Sequence, residues 1–257
     1  MSTVRANLAL LGVHLQRSPL LSRLLLRLRQ QPRVRKDPRL PATVPLVRAT
    51  VTDSSIPLPV RAAIALAFEG FLRASEYTSK WTGRFNSGFT MLRRHVRHRP
   101  DLDAFEVMVP RSKGDPFNNG SVLMLHNHVG RPHCAYQLMR QYLDATPSAD
   151  PQQPLFVLSD GRYLTPSLIG PALRRHARAF GLPPSLLQPH SLRIGAAFAA
   201  MDCGIPWTTI KVLGRWRTDH VALQYARMST LRSASASAAL SDPHAPFSMP
   251  FFATVSR

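Results

Sequence analysis

Pro189-His190-Ser191-Leu192-Arg193-Ile194-Gly195, then Leu213-Gly214-Arg215-Trp216, then Gln224-Tyr225: the reading of these three stretches decides the fold of this 257-residue chain. His190 and Arg193 lie three positions apart, so at a helix start they share one face. Between Arg193 and Trp216 stand 22 residues, and between Trp216 and Tyr225 another 8. Glycine punctuation predicts a helix over Ser191 to Cys203 stopped by Gly204 and a second over Pro206 to Leu213 stopped by Gly214. A third, capped by Thr218, is expected to carry Val221, Ala222 and Tyr225. Each piece has a bland reading. A lone histidine after proline is ordinarily a core residue bonded to backbone, and a tyrosine on an amphipathic helix ordinarily packs with its hydroxyl satisfied. The information lies in the order and spacing of the set.

Working upstream, Thr165, Pro166 and Gly181 bracket a helix over Pro166 to Phe180, with Thr165 as the N-cap and Pro171 as a kink or restart. A further helix is expected over His133 to Leu143. From Trp81 to His126 the pattern turns strand-like, with short segments at Thr90 to Val96, Phe105 to Val109 and Ser121 to Leu125. The Gly-, Pro- and Asn-rich run Arg111 to Gly120 joins the last two as a hairpin loop. Pro57 and Pro59 precede an apolar helix over Val60 to Leu72, hydrophobic nearly all round and therefore buried. After Ser229 the Ser/Ala-rich and then Pro-rich composition breaks any long helix. The whole reads as mixed α+β, mainly α-helical.

The charge balance narrows the partners. Thirty-three Lys and Arg against 14 Asp and Glu give a formal charge of +19, which points to a polyanion: DNA, RNA or an anionic membrane. The longest apolar runs, Ala62 to Phe68 and Ile194 to Met201, are too short to span a bilayer, so no membrane role is expected. Two cysteines, Cys134 and Cys203, are too few for a disulfide framework and fit a reducing compartment.

In their order, the quoted stretches resemble the C-terminal signature of tyrosine recombinases, the phage integrases and their transposon relatives, with Trp216 standing where many members have a second histidine. Gly70-Phe71-Leu72-Arg73-Ala74-Ser75-Glu76 resembles that family's first arginine motif, and Lys113 in its hairpin resembles the catalytic lysine. The details Arg111-Ser112-Lys113, His190 to Ala197 and Leu213 to Trp216 look most like recombinases of eukaryotic mobile elements. The resemblance covers about residues 44 to 228. It implies a catalytic domain, mainly helical with a small antiparallel β-sheet at one edge. It also implies double-stranded DNA as partner, a synaptic homo-tetramer on DNA, and neither cofactor nor metal. The compartment expected is the nucleus in a eukaryote and otherwise the cytoplasm.

The chemistry calls for these residue types in its own right. Displacing a phosphodiester oxygen gathers charge on the non-bridging oxygens, which permanently charged guanidiniums can hold; Arg73 and Arg193 are the expected clamp. The bland reading of Arg73 is a helix-end arginine paired with Glu76, and Glu76 is expected to orient an arginine rather than react. Tyr225 is the expected nucleophile, because a phosphotyrosine link conserves bond energy for rejoining. His190 is the expected proton acceptor. Lys113 is expected to protonate the leaving oxygen, the alternative being a plain phosphate contact. Trp216 is expected to close the site by packing and by its indole donor.

Arg93, Arg94, Arg97 and Arg99, with Arg111, Arg174, Arg175, Arg178 and Arg215, are expected to contact the DNA backbone, the alternative being a solvated face. His126, His128, His133 and Cys134 match no standard zinc spacing. Residues 1–43 begin with an acid-free leader holding Arg5, Arg17, Arg23, Arg27, Arg29, Arg33, Arg35 and Lys36. It reads as the last helix of a preceding DNA-binding domain with a Pro/Arg-rich linker, the alternative being a transit peptide. Residues 229–257 form a tail compatible with a linker, exchange between protomers or disorder. An inactive DNA-binding remnant or architectural protein is the competing function, motivated by the short N-terminal part. A topoisomerase fits less well, given the close spacing of Trp216 and Tyr225.

Overall fold

A computed structural model describes residues 39–112, 119–128, 130–131 and 133–216. The leader, Lys113, the helix expected at Thr218, Tyr225 and the tail all lie outside the described residues. Helix α1 (Val44–Thr52) directly follows the expected leader and linker of residues 1–43, in a stretch where the sequence pattern predicts no helix. It starts on Thr43, whose hydroxyl accepts from the Leu46 amide at 3.4 Å, with proline in the first turn, and it buries Leu46, Val47, Thr50 and Val51.

Helix α2 (Leu58–Glu69) is the hub. Val60, Ala62, Ala63, Ile64, Ala65, Leu66 and Ala67 are all buried, as all-round hydrophobicity demands, and small alanines let neighbours approach from several sides. It ends at Gly70, whose amide returns to the Leu66 carbonyl at 2.8 Å. Phe71 then takes a left-handed φ of 52°, unusual for a residue with a Cβ, so the expected extension to Leu72 does not form. One turn follows, α3 (Ala74–Tyr77).

The three strands β1 (Val96–Arg99), β2 (Ala104–Val109) and β3 (Ser121–His126) form one antiparallel sheet in that order, with Arg97 opposite Glu106 and Met108 opposite Val122. Phe105, Val107 and Val109 point inward at the alternate positions of β2. The first strand was expected over Thr90 to Val96 but begins where that range ends. Its predecessor turns as a 3-10 helix, Arg93–His95, because His95 Nδ1 accepts from the Leu92 amide at 3.0 Å and Arg93 reaches away to another helix.

The remaining helices are α4 (Ala135–Asp144), α5 (Pro166–Ala177), α6 (His190–Asp202) and α7 (Trp207–Leu213). Helix α2 packs against α1, α4, α5 and α6. Thr165 sits at the N-cap of α5, yet its hydroxyl bonds Ser167 Oγ at 2.7 Å instead of a backbone amide. Pro171 does not interrupt that helix, which continues as a 3-10 turn to a left-handed Gly181. No described helix is long and apolar enough to cross a membrane.

Gly195 sets how closely α6 can sit. The amide of Ala42 donates to the Ser191 carbonyl at 2.9 Å, and a Cβ on Gly195 would fall 1.8 Å from the Ala42 carbonyl oxygen. That neighbour is backbone and cannot swing aside. Gly195→Ala should therefore lower the unfolding free energy in urea by roughly 2–4 kcal/mol. A loss under about 0.5 kcal/mol would show that the contact yields freely.

Candidate active site

Glu76 organises the site. Its carboxylate is 2% exposed, and it holds two arginines from distant parts of the chain. Oε1 accepts from Arg73 Nη1 at 3.0 Å, while Oε2 accepts from the Arg73 amide and from Arg215 Nη2, each at 2.9 Å. Arg73 occupies the N-cap of α3 in extended conformation, so its amide and side chain both face the carboxylate three residues on. Arg73 Nη1 also donates to Ser112 Oγ at the base of the β2–β3 hairpin.

The second node is the Phe71 carbonyl. The left-handed turn aims it at α6, where it accepts from Arg193 Nη1, and it also accepts from Arg215 Nη2 at 3.1 Å. Arg193 Nη2 donates to the Gly214 carbonyl, and its guanidinium lies 4.8 Å over the Trp216 ring. Trp216 in turn stacks on Trp207, with ring centres 6.0 Å apart. The side chain of Arg193 is fully buried, whereas that of Arg73 is 20% exposed. Arg215 also has a left-handed φ of 52°, which turns its side chain inward.

His190 begins α6, one turn before Arg193. Burial pushes its pKa down to about 4, and the positive charges of Arg193, Arg39 and Arg73 push the same way. The imidazole is therefore neutral at pH 7; so low a pKa makes it a weak base, which a bound phosphate would strengthen by offsetting the neighbouring guanidiniums. Burial also lowers the Arg215 pKa, outweighing the pull of Glu76, with Arg73 adding to the downward shift. One carboxylate against three guanidiniums leaves the cluster electropositive, which favours an anion such as a phosphodiester.

The structure thus brings Arg73, Glu76, His190, Arg193 and Trp216 together; Lys113 and Tyr225 lie outside the described residues. The described tyrosines have other positions. Tyr77 is buried, and burial with Glu76 beside it raises its pKa far above the ordinary value. Tyr136 donates to Asp103, Tyr142 accepts from the Val157 amide and Tyr163 packs on Phe85.

Several arginines expected on a DNA-facing surface are engaged within the fold. Arg215 joins the buried network, a placement that its sequence neighbourhood gave no means to foresee. Arg93 caps the end of α4 through the Leu143 carbonyl and Thr146 Oγ1, Arg94 bonds Gln152, and Arg174 bonds the Leu187 carbonyl. Arg99 bridges Asp101 and Glu106, and Arg175 lies 3.3 Å from Asp53. Arg97, Arg111 and Arg178 are exposed, and Arg94 and Arg175 remain exposed despite their partners. Among the described residues no three His, Cys, Asp or Glu side chains converge as metal ligands.

This arrangement of a helical body with a three-stranded edge sheet recurs in solved structures. It is similar to XerA recombinase, with a TM-score of 0.55 and 15% identity over 81% of this chain and 66% of that one. It is also similar to the XerH site-specific recombinase bound to difH substrate, in a pre-cleavage complex, with a TM-score of 0.53 and 13% identity over 77% of this chain and 53% of that one. The fold is that of the tyrosine recombinase catalytic domains. A third similar structure, the Tn1549 transposon integrase in complex with circular intermediate DNA, gives a TM-score of 0.53 and 16% identity over 79% of this chain and 67% of that one. This chain spans about half to two thirds of the length of these solved chains. No family model matches the sequence, and no curated protein does. At such identities the likeness is one of fold.

Two outcomes follow from the geometry. A histidine whose folded pKa lies below its ordinary 6.5 binds protons more readily when unfolded. Its contribution to stability is present above pH 6.5 and is lost as pH falls towards 4. NMR titration should place the His190 ring near 4, and Arg73→Met should raise that value; titration at 6.5 or above would contradict the electrostatics. In a double-mutant cycle, Arg215→Met should cost roughly 3 kcal/mol and couple to Glu76→Gln by about 1–3 kcal/mol. Additive effects would mean that the two groups do not sense each other.

Proposed function

We propose that this chain is a tyrosine recombinase, a metal-independent enzyme that cuts and rejoins double-stranded DNA at specific sites through a 3′-phosphotyrosine link, most like the recombinases of eukaryotic mobile elements. The observation that carries the reading is the meeting of Arg73 and Arg193 at the Phe71–Glu76 turn, with a neutral His190 beside them. In this scheme the phenol oxygen of Tyr225 attacks phosphorus, and His190 accepts the phenolic proton. The bond to the 5′ oxygen breaks, and Lys113 protonates that oxygen. A 5′ hydroxyl from a partner strand then displaces the tyrosine, which regains its proton. Arg73 and Arg193 hold the non-bridging oxygens while charge builds on them, and Trp216 shuts out water over Arg193. Two duplexes are exchanged by a homo-tetramer assembled on DNA. The cell compartment proposed is the nucleus in a eukaryote and the cytoplasm otherwise.

One observation favours the competing reading of a DNA-binding protein without catalysis. Arg193 is fully buried on the Phe71 and Gly214 carbonyls, so it must exchange at least one of them for a phosphate oxygen before it can act. A nicked suicide substrate separates the two readings. Wild-type protein should give an SDS-resistant protein–DNA band that is absent in Tyr225→Phe, reduced by about a hundredfold or more in Arg73→Ala, and unchanged by EDTA. Duplex binding without any such band would leave only the binding protein.

A further inference from the structure

Between Tyr77 and Pro100 the chain has no acid, and it carries Lys80, Arg84, Arg93, Arg94, Arg97 and Arg99. Arg93, Arg94 and Arg99 are engaged within the fold, as described above. Lys80 and Arg84 are placed differently: Lys80 Nζ lies 4.6 Å and the Arg84 guanidinium 4.1 Å from the centre of the Trp81 ring. Arg111 repeats the arrangement, 4.4 Å over Phe89. Trp81 is 41% exposed and Phe89 46%. Among the described residues, Lys80, Arg84 and Arg111 have no carboxylate within ion-pair range.

The loop that displays these rings, residues 78–92, has little regular structure but is firmly tied. The Ser79 amide donates to the Leu164 carbonyl and the Tyr163 amide to the Thr82 carbonyl, each at 2.8 Å, and Phe85 packs edge-on against Tyr163. The Met91 amide donates to the Glu76 carbonyl at 3.0 Å, so one tie is the residue that organises the site. Arg111 is next in sequence to Ser112, the hydroxyl partner of Arg73. A single exposed aromatic side chain requires no explanation. Two of them, Trp81 beneath two cations and Phe89 beneath one, on a loop anchored to the site, do.

We infer that Trp81 and Phe89, with Lys80, Arg84 and Arg111, form a binding surface for unpaired DNA nucleotides. The cations leave the ring faces for the phosphates, and bases take their place in stacking on the rings. An intact duplex offers phosphates but keeps its base faces inside the stack, so it uses the cations and leaves the rings idle. The inference rests on the strand-transfer reading in one respect. A strand cut beside Arg73 must leave its own duplex before it can join another, and that step puts unpaired nucleotides next to this loop.

The test compares a labelled oligo-dT with a labelled duplex of equal length by fluorescence anisotropy. It uses the full chain carrying Tyr225→Phe, so that binding is read without covalent trapping. Adding Trp81→Ala and Phe89→Ala should weaken oligo-dT binding by about tenfold or more, while duplex binding changes less than about twofold. Trp81→Phe with Phe89→Tyr should restore most of the single-strand affinity. Lys80→Gln, Arg84→Gln and Arg111→Gln together should weaken both ligands and flatten the salt dependence. Both rings are exposed, so the alanine variant should keep the parent's circular dichroism melt. Unchanged oligo-dT binding in the alanine variant, or an equal loss on both ligands, overturns the inference. Ring-dependent oligo-dT binding, together with no covalent band on nicked DNA from the chain that keeps Tyr225, would sink the catalytic reading and leave this one standing.

Discussion

The site depends on one buried carboxylate. Glu76 is almost fully removed from water, and a lone carboxylate there would be costly; paired with Arg73 and Arg215 it becomes a joint between a helix cap and the segment after α7. The Phe71 carbonyl extends the joint by accepting from Arg215 and Arg193 together. Arg215 is thus shared between the two nodes. It is a positioning residue: it fixes the frame from which Arg73 and Arg193 project. Both left-handed non-glycine residues of this network, Phe71 and Arg215, sit where their main-chain twist aims a polar group at a partner, and the surrounding hydrogen bonds offset the conformational cost.

The fold makes this meeting possible. Helix α2 is buried on all sides, so its C-terminal end is held rigidly, and the turn after it delivers Phe71 and Arg73 to the start of α6. Gly195 allows α6 to lie against the backbone at Ala42, bringing His190 and Arg193 within reach of that turn. The hairpin contributes Ser112 from the sheet side. The frame has an electrical consequence: among the described residues several positive charges converge on one carboxylate, Glu76, so a neutral His190 is held among guanidiniums. A bound phosphate would relieve that imbalance.

Much of this was legible in the residues. Glycine stops placed the ends of α5, α6 and α7 well, and the strand alternation at Phe105 to Val109 and Ser121 to Leu125 survived nearly unchanged. The resemblance to the tyrosine recombinase motifs picked out Arg73, Glu76, His190, Arg193 and Trp216, side chains that the fold does bring together. Three features were hidden, each decided by tertiary contact. Helix α1 is short and starts beside prolines that read as a linker, and its burial against α2 and α6 is a long-range fact. The stretch Thr90 to Val96 has β-branched residues but turns, because His95 and Arg93 find better partners than a neighbouring strand. Arg215 looks like any other cation in a basic chain, and only the inward turn at Gly214–Arg215 reveals that it serves Glu76.

The most direct measurement is an experimental structure of the protein on a DNA duplex whose scissile phosphate is replaced by a transition-state mimic such as vanadate. Guanidinium nitrogens of Arg73 and Arg193 are expected about 3 Å from its equatorial oxygens, with Tyr225 in line opposite the leaving oxygen and Arg193 released from the Gly214 carbonyl. A structure in which Arg193 stays on both carbonyls, with the Tyr225 hydroxyl remote from the bound centre, would contradict it.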